Sequence, residues 1–352
     1  MNTIRVSASR SYDVVVDAGG LIRTGEYLAA LGKSGAAVVV SDDTVFALYG
    51  KAVMDALAGA GFRAASFVFP HGEQSKNLTV YGRLLNFLAD SRLSRTDVLV
   101  ALGGGVTGDL GGFAAATYLR GIAFVQLPTT LLAAVDSSVG GKTAVDLPAG
   151  KNLAGAFCQP SLVLCDPDAL STLPESTFRD GCAEVIKYGV LFDEPFFRSL
   201  AQTPARAQLG HVISVCVGHK RDCVEQDEFD LGRRRLLNLG HSFGHAVEAR
   251  SAFSLSHGQA VSIGMAMIAR ASAEKGVCSP RTRDEIVRLL AQYGLPTDCP
   301  YTADELLDTL LLDKKIADGV MHLVVPEAVG RCRMEAVPLS ALPGWLSAGG
   351  AK

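Results

Sequence analysis

Three of the seven histidines in this 352-residue chain fall within one short segment, residues 240–258. His241 and His245 are four positions apart, so both lie on one face if the segment is helical, and His257 follows. Glu184 stands upstream in a helical pattern, and two imidazoles with one carboxylate are typical ligands of a catalytic zinc site. A histidine pair at this spacing is a weak signal, but the concentration of three favours a metal. By spacing alone, both His241 and His245 are candidate ligands.

A glycine-rich segment, LGGGVTGD at residues 102–109, follows the apolar run 98–101. Consecutive glycines after a buried strand let the backbone approach a pyrophosphate, whose charge the next helix N-terminus stabilises. The spacing is neither G-x-G-x-x-G nor a P-loop, so the segment alone predicts dinucleotide binding no better than it predicts an ordinary turn. Asp42 stands where an acceptor for a ribose hydroxyl is expected, and equally where a helix N-cap is expected.

Several cationic residues occur in apolar or glycine-rich local sequence, which is unusual because isolated lysines normally belong to a solvated surface. Lys142 and Lys151 lie in glycine-flanked loops, and Lys187, Lys220 and Arg234 lie near the candidate metal ligands in sequence. A substrate that carries phosphate or carboxylate would account for such lysines and for an arginine with its forked donors.

The secondary structure predicted to position these side chains changes along the chain, from alternating strands and helices to helices alone. Apolar runs alternate with helical patterns in the first half, which predicts a Rossmann-like α/β domain over residues 1–170 with a parallel sheet covered on both faces. A 3.6-residue period then dominates, which predicts an all-α C-terminal domain over residues 171–352, with 321–326 as its one strand-like run. Predicted strands are 12–16, 37–41, 65–68, 98–101, 123–126 and 162–165. Predicted helices are 45–60, 80–90, 178–188, 205–226, 241–251, 260–275, 281–293 and 303–313.

Composition excludes several classes of protein. Lys and Arg total 33 against 36 Asp and Glu, a formal net charge of -3, which disfavours a disordered chain and a basic nucleic-acid binder. The longest apolar region, residues 122–135, is interrupted by Gln126 and Pro128 and is too short to cross a bilayer. The N-terminus is charged before any signal peptide could be complete. Eight cysteines without a C-x-x-C pair indicate reduced thiols in a cytoplasmic protein.

Longer motifs connect these features. The stretches that carry the resemblance are GEQSK (72–76), LGGGVTGDLGGFAAATYLRG (102–121), QLPTTLLAAVDSSVGGKTAVDLPAGKNLAGAF (126–157), AEVIKYGVL (183–191), LLNLGHSFGHAVE (236–248) and HGQAVSIGM (257–265). Together they resemble the 3-dehydroquinate synthases of the sugar-phosphate cyclase superfamily. The resemblance implies conversion of 3-deoxy-D-arabino-heptulosonate 7-phosphate into 3-dehydroquinate and phosphate, a step of the shikimate pathway. In that reaction NAD oxidises the C5 hydroxyl, phosphate eliminates, the ketone is reduced again and an intramolecular aldol step closes the ring.

The resemblance also implies roles for individual residues. The implied ligands of Zn²⁺ or Co²⁺ are Glu184, His241 and His257. The resemblance therefore assigns His245 to the phosphate and not to the metal, as spacing alone allowed. The implied phosphate pocket contains Lys142, Asn152, Lys187 and His245, with Arg120 supplied by the other subunit of a homodimer. The implied contacts to carboxylate and hydroxyls are Lys220, Arg234, Asn238 and one of Lys314 and Lys315. The implied NAD contacts are Asp42, Glu73, Lys76, Gly104, Gly105, Val106, Asp109, Thr129, Thr130, Asp136, Lys142, Lys151 and Thr172.

Two residues depart from the family pattern. Ser242 replaces the usual threonine and keeps the hydroxyl, whereas Gln259 replaces a common glutamate two residues after His257. If that glutamate orients the metal ligand, its loss is expected to change metal affinity.

Three other functions remain open. A related cyclase would make a valiolone, deoxy-inosose or amino-dehydroquinate skeleton, and the residues implied for the carboxylate disfavour the first two. A metal-dependent polyol dehydrogenase would release NADH and is expected to lack the phosphate-type residues. A non-catalytic scaffold is expected to have lost its metal ligands.

Overall fold

The computed structural model describes residues 1–252, 254–311 and 319–352. The chain forms two compact units, the first made of residues 1–174 and 209–229 and the second of residues 175–208 and 230–352. The predicted boundary at residue 170 lies close to the first of these divisions. Segment 209–229 differs from the prediction, because it belongs to the first unit although the chain on both sides of it belongs to the second.

Eleven strands and thirteen α-helices are present in the described residues. The strands are β1 Asn2–Val6, β2 Tyr12–Val16, β3 Ala36–Asp42, β4 Arg63–Phe69, β5 Val98–Gly103, β6 Ala123–Pro128, β7 Lys142–Leu147, β8 Gly150–Phe157, β9 Leu162–Cys165, β10 Val320–Ala328 and β11 Arg331–Pro338. The helices are α1 Thr24–Ala30, α2 Asp43–Val45, α3 Lys51–Gly59, α4 Leu78–Asp90, α5 Gly105–Thr117, α6 Glu175–Phe192, α7 Glu194–Gln202, α8 Leu209–Gln226, α9 His241–Arg250, α10 His257–Glu274, α11 Pro280–Gln292, α12 Ala303–Leu310 and α13 Leu342–Ala348.

The first unit is built on a seven-stranded sheet in the order β1-β2-β9-β6-β5-β3-β4, parallel except for the β1–β2 pair. Successive residues of β3 contribute to opposite faces: Val39 joins a core with Leu57 of α3, and Val38 joins a core with Leu84 of α4. The sheet is therefore covered on both faces, and the predicted parallel α/β fold is confirmed. Helix α8 packs against β1 and β2, which is why segment 209–229 belongs to this unit.

The second unit is mainly helical, and within it α10 packs against α6, α9 and α11. The predicted helical C-terminal domain is confirmed, and the strand-like run 321–326 lies in β10, which forms an antiparallel hairpin with β11. The end of the predicted helix 303–313 lies outside the described residues, as do Lys314 and Lys315. Within the part of the chain that the structure describes, no helix is long and apolar enough to span a membrane.

Candidate active site

The predicted nucleotide contacts of the first unit follow the carboxyl ends of parallel strands. Asp42 ends β3, Gly104 follows β5 and Thr129 follows β6. Ligands of open α/β sheets bind at this edge, so the placement is the one expected for a dinucleotide. The Asp42 carboxylate accepts a hydrogen bond from the Val45 backbone N–H at 2.9 Å, so this residue is a helix cap as well as a candidate ribose contact.

The glycine loop connects β5 directly to the N-terminus of α5, with Gly104 in the N-cap position. A Cβ on Gly103 would lie 2.4 Å from the Thr107 Oγ1, and a Cβ on Gly104 would lie 3.0 Å from the Thr130 Cγ2. Side chains at these two positions would therefore crowd the loop. The first turn of α5 has no acidic residue, which leaves the helix N-terminus suited to an anion.

Lys76 joins residues from three separate segments of the first unit. Its side chain is 5% exposed, forms an ion pair with Asp109 and donates to Asn152 Oδ1 at 2.5 Å. The Glu73 carboxylate lies 3.9 Å from the same ammonium. The structure thus brings the implied NAD residues Glu73, Lys76 and Asp109 together with Asn152, which the resemblance assigns to phosphate. Asn152 has a positive φ of 56°, and its N–H donates to Asp146 at 2.7 Å.

Replacing Lys76 by methionine is expected to lower the free energy of unfolding by about 3 kcal/mol near pH 8, since the largely buried Asp109 loses its counter-ion. Burial raises the pKa of Asp109 to about 6 even though Lys76 opposes the shift, and without Lys76 it rises further. The folded variant then binds a proton more readily than the folded parent does, so the deficit should shrink as the pH falls through the raised pKa of the variant towards about 6 and should level off below it. Urea unfolding at several pH values measures this effect.

The matched control for Lys76→Met is Lys51→Met, which breaks the exposed Lys51–Asp55 pair. Exposed ion pairs contribute little, so this variant should unfold like the unmodified protein. Equal losses in the two variants, or a deficit in Lys76→Met that does not depend on pH, would contradict the prediction.

The other implied residues of the first unit are dispersed over several elements. Lys220 on α8 forms an ion pair with Asp136, which lies in a π-helical turn over Ala133–Ser137. The Tyr49 hydroxyl and the Thr172 Oγ1 are 2.6 Å apart. Arg120 is exposed and has a positive φ of 65°. The rest lie at the start of α5, after β6 and on the hairpin β7–β8: Gly105, Val106, Thr130, Lys142 and Lys151.

The second unit contains a compact cluster of Glu184, His241 and His257, whose potential ligand atoms all lie within 4.8 Å of one another. The Glu184 side chain is fully buried, and its Oε1 lies 3.4 Å from the His241 Nε2 and 3.3 Å from the His257 Nε2. Ligands about 2.1 Å from a tetrahedral zinc ion lie about 3.4 Å apart, so these separations fit a metal site.

Neighbouring groups set the protonation of both histidines. The His241 Nδ1 lies 3.1 Å from the Leu239 carbonyl oxygen, which can only accept, so Nδ1 carries the hydrogen and Nε2 faces Glu184 with its lone pair. Burial and the Lys187 ammonium hold the pKa of His241 well below its usual range. Burial alone would lower the pKa of His257 too, but Glu184 and Glu248 outweigh it and raise that pKa to about 10. One neutral imidazole and two carboxylates therefore surround a position that favours positive charge.

The remaining implied residues of the second unit lie close to this cluster in the chain. Lys187 on α6 is 1% exposed and forms an ion pair with Glu184 one helical turn away. Arg234 is 2% exposed and Asn238 is half-buried, both in a 3-10 segment immediately before α9. The ring of His245 lies 5.4 Å from that of His241 and 6.0 Å from that of His257.

Glycines allow the helices that carry the ligands to approach closely. A Cβ on Gly264 of α10 would lie 2.0 Å from the Gly240 carbonyl oxygen and 2.7 Å from the Gly244 nitrogen. A Cβ on Gly258 would lie 2.2 Å from the Asp180 carbonyl oxygen of α6. Backbone contacts of this kind fix α10 against α9 and α6, and so fix His257 relative to His241 and Glu184.

Three acidic residues, one in the first unit and two in the second, lie near predicted site residues of their own unit and were not identified from the sequence. Asp146 accepts a hydrogen bond from the Asn152 N–H. Asp180 accepts one from the Gln259 N–H, at 3.1 Å, at the start of α10. The Glu248 Oε2 lies 3.7 Å from the His257 Nδ1. A signal for Glu248 was available, because it stands seven positions after His241, and residues seven apart share a helix face.

A parallel α/β unit with a glycine loop at its carboxyl edge, followed by a helical unit, is the fold of solved sugar-phosphate cyclases and also of a glycerol dehydrogenase, so the buried two-histidine, one-carboxylate cluster fits either class. The comparisons with known proteins are more specific. Residues 66–180 match the model of the 3-dehydroquinate synthase N-terminal domain, and residues 181–316 match that of the C-terminal domain. The chain belongs to the 3-dehydroquinate synthase family.

Individual relatives agree with this assignment. The chain is 44% identical to the 3-dehydroquinate synthase of Clostridium botulinum, with 92% of this chain and 94% of the relative covered. It is 45% identical to that of Pelobacter propionicus, with 92% of each chain covered. Among solved structures, 2-epi-5-epi-valiolone synthase from Streptomyces hygroscopicus, with NAD⁺ and Zn²⁺ bound, is 29% identical with a TM-score of 0.87, covering 98% of this chain and 99% of that one.

Proposed function

We propose that this chain converts 3-deoxy-D-arabino-heptulosonate 7-phosphate into 3-dehydroquinate and phosphate, the 3-dehydroquinate synthase reaction. The observation that carries the proposal is the Glu184–His241–His257 cluster, which lies in a chain that aligns with 3-dehydroquinate synthases over 92% of its length. The substrate carries a phosphate and a carboxylate, and the sequence contains the cations implied for both groups.

Glu184, His241 and His257 would hold Zn²⁺ or Co²⁺, and the carboxyl edge of the sheet in the first unit would hold NAD. When bound, a divalent metal polarises the hydroxyl that is oxidised, and NAD takes up and returns the hydride. The proposed NAD contacts are those that the family resemblance implies, from Asp42 through Thr172. The 3.3 and 3.4 Å separations between nitrogen and oxygen and the fixed tautomer of His241 support this ligand set.

The residues of the chain itself bind and orient the substrate and set the charge of the groups around it. The Lys187 ammonium sits against Glu184 and helps to keep His241 neutral, which is the form that ligates a metal. We assign the phosphate to Arg120, Lys142, Asn152, Lys187 and His245. We assign the carboxylate and hydroxyls to Lys220, Arg234, Asn238 and one of Lys314 and Lys315. If the leaving phosphate itself accepts the proton in the elimination, these groups orient it and stabilise charge and do not act as a general base.

We further propose a cytoplasmic homodimer in which Arg120 is supplied to the other subunit. The exposed position of Arg120 supports a contact with another subunit. The eight free cysteines support a reducing compartment. Light scattering at assay concentration tests the assembly, and the mass of a monomer would overturn that part of the proposal.

The reaction is tested by incubating the purified protein with NAD, Zn²⁺ or Co²⁺ and the heptulosonate phosphate. We expect inorganic phosphate to be released without accumulation of NADH, and chelation of the metal to stop the release. Stoichiometric NADH would instead indicate a polyol dehydrogenase. Faster turnover of a heptulose 7-phosphate that lacks the carboxylate would indicate another cyclase.

A further inference from the structure

His257 lies between two buried carboxylates, each facing a different ring nitrogen. Its Nε2 is 3.3 Å from the Glu184 Oε1, and its Nδ1 is 3.7 Å from the Glu248 Oε2. The Glu184 side chain is 0% exposed and that of Glu248 is 9% exposed. A carboxylate buried to this degree is costly unless it meets a positive group or a hydrogen-bond donor. Glu248 therefore has a physical reason to face this imidazole.

The helical period explains how Glu248 reaches this position. Glu248 and His241 are seven residues apart on α9, close to two full turns, so they lie on the same face. Helix α9 packs against α10, where His257 is the first residue. One face of α9 thus supplies a candidate metal ligand through His241 and a carboxylate beside a second ligand through Glu248.

Gln259, which replaces the family glutamate expected to orient His257, has its side chain engaged elsewhere. The Gln259 Oε1 accepts a hydrogen bond from the Ser256 N–H at 3.0 Å, which completes a capping box at the start of α10. Asp180 binds the Ser256 hydroxyl and the Gln259 N–H. Glu248 is therefore the carboxylate placed at the His257 Nδ1.

We propose that Glu248 is a positioning residue for the metal ligand His257. Its carboxylate faces the Nδ1 at 3.7 Å, and a hydrogen bond from the Nδ1–H to it would fix the tautomer in which Nε2 presents its lone pair beside Glu184 and His241. A carboxylate on the second nitrogen also increases the basicity of a ligating imidazole, and loss of such a group typically weakens metal binding 10- to 100-fold. The inference rests on the proposed metal site, but it does not depend on which sugar phosphate the enzyme uses.

A second arrangement shares the same residues, because ligand atoms of His245, Glu248 and His257 also lie within 4.8 Å of one another. In that arrangement Glu248 would be a ligand itself. The fully buried Glu184 and the fixed tautomer of His241 favour the first cluster, and the second becomes an outcome of the test.

The experiment measures metal binding without substrate, using competition with a chelator for Zn²⁺ and the visible spectrum of bound Co²⁺. Glu248→Ala should weaken Zn²⁺ binding about 10- to 100-fold and shift the Co²⁺ bands, while one metal still binds per chain. Glu248→Gln keeps the shape and one accepting oxygen but removes the charge, so a smaller loss is expected. Glu274→Gln, a carboxylate change at the exposed end of α10, should leave both measurements unchanged.

Unfolding of the metal-free variants shows whether a loss of affinity comes from a misfolded protein. Zn²⁺ affinity within about twofold of the parent in both Glu248 variants would overturn the inference. So would loss of stoichiometric metal in Glu248→Ala together with retention in Glu184→Gln, which would place the ion in the second cluster. A parent protein that binds Zn²⁺ but releases no phosphate would refute the proposed function and leave this inference intact.

Discussion

Replacing Glu184 by glutamine is expected to abolish stoichiometric zinc binding and to lower kcat for phosphate release by about 10³-fold or more. The change is nearly isosteric, so it removes charge with little change in volume. The Glu184 Oε1 is the atom that faces both the His241 Nε2 and the His257 Nε2, and the other oxygen meets Lys187. An amide neither balances the metal charge nor ion-pairs with the lysine. Metal analysis after dialysis and a phosphate-release assay measure the two effects.

His322→Ala is the matched control for loss of a site residue, because His322 is an exposed residue of the same unit, on β10. It should retain metal and activity, and circular dichroism should show that both variants are folded. If Glu184→Gln kept zinc at the parent's affinity, Glu184 would not be a metal ligand.

The second large effect is expected from Gly264→Ala. A Cβ there would lie 2.0 Å from the Gly240 carbonyl oxygen, and since that atom belongs to the backbone, no side-chain rotation relieves the overlap. Helices α9 and α10 must move apart, which should cost about 3 kcal/mol of unfolding free energy. The same movement separates His241 from His257, so we also expect zinc affinity to fall about 10-fold or more. Urea unfolding and chelator competition measure these changes.

Gly82→Ala provides the control within a helix. Apart from neighbouring residues and the backbone of the helix itself, nothing lies within 4 Å of a Cβ placed at Gly82, which is an interior residue of α4. Alanine is the better helix former, so this variant should be as stable as the parent or more stable by about 1 kcal/mol. Unchanged zinc affinity in folded Gly264→Ala would show that the glycine contact does not set the ligand spacing.

Local sequence pattern was sufficient to predict the strands of the parallel sheet, but not the hairpin β7–β8 or the position of helix α8. The predicted strands 12–16 and 162–165 have the bounds of β2 and β9, because continuous apolar runs are what a doubly covered parallel sheet requires. The hairpin β7–β8 was not predicted, since its β8 strand contains two glycines and has no fully buried residue. The packing of α8 in the first unit was also not predicted, because the pattern of an amphipathic helix does not indicate which apolar surface the helix will pack against.

Sequence spacing is also insufficient to identify the individual ligands of the candidate metal site. Spacing treats His241 and His245 alike, because both project from one face of α9. The structure distinguishes them through the Leu239 carbonyl oxygen, which orients His241, and through Glu184 on another helix. The Lys76 contacts with Asp109 and Asn152 likewise join residues far apart in the chain, and no local pattern predicts which remote residues will meet.

The discontinuity of the first unit has a consequence for the order in which the protein is made. A nascent chain that ends at residue 174 already contains all seven strands of the sheet, but it lacks α8, which packs on β1 and β2. The face of those strands that α8 covers therefore stays open to the ribosome, chaperones and other chains until residue 229 has emerged. Truncation after residue 174 should accordingly give an aggregation-prone fragment and not an independent nucleotide-binding domain.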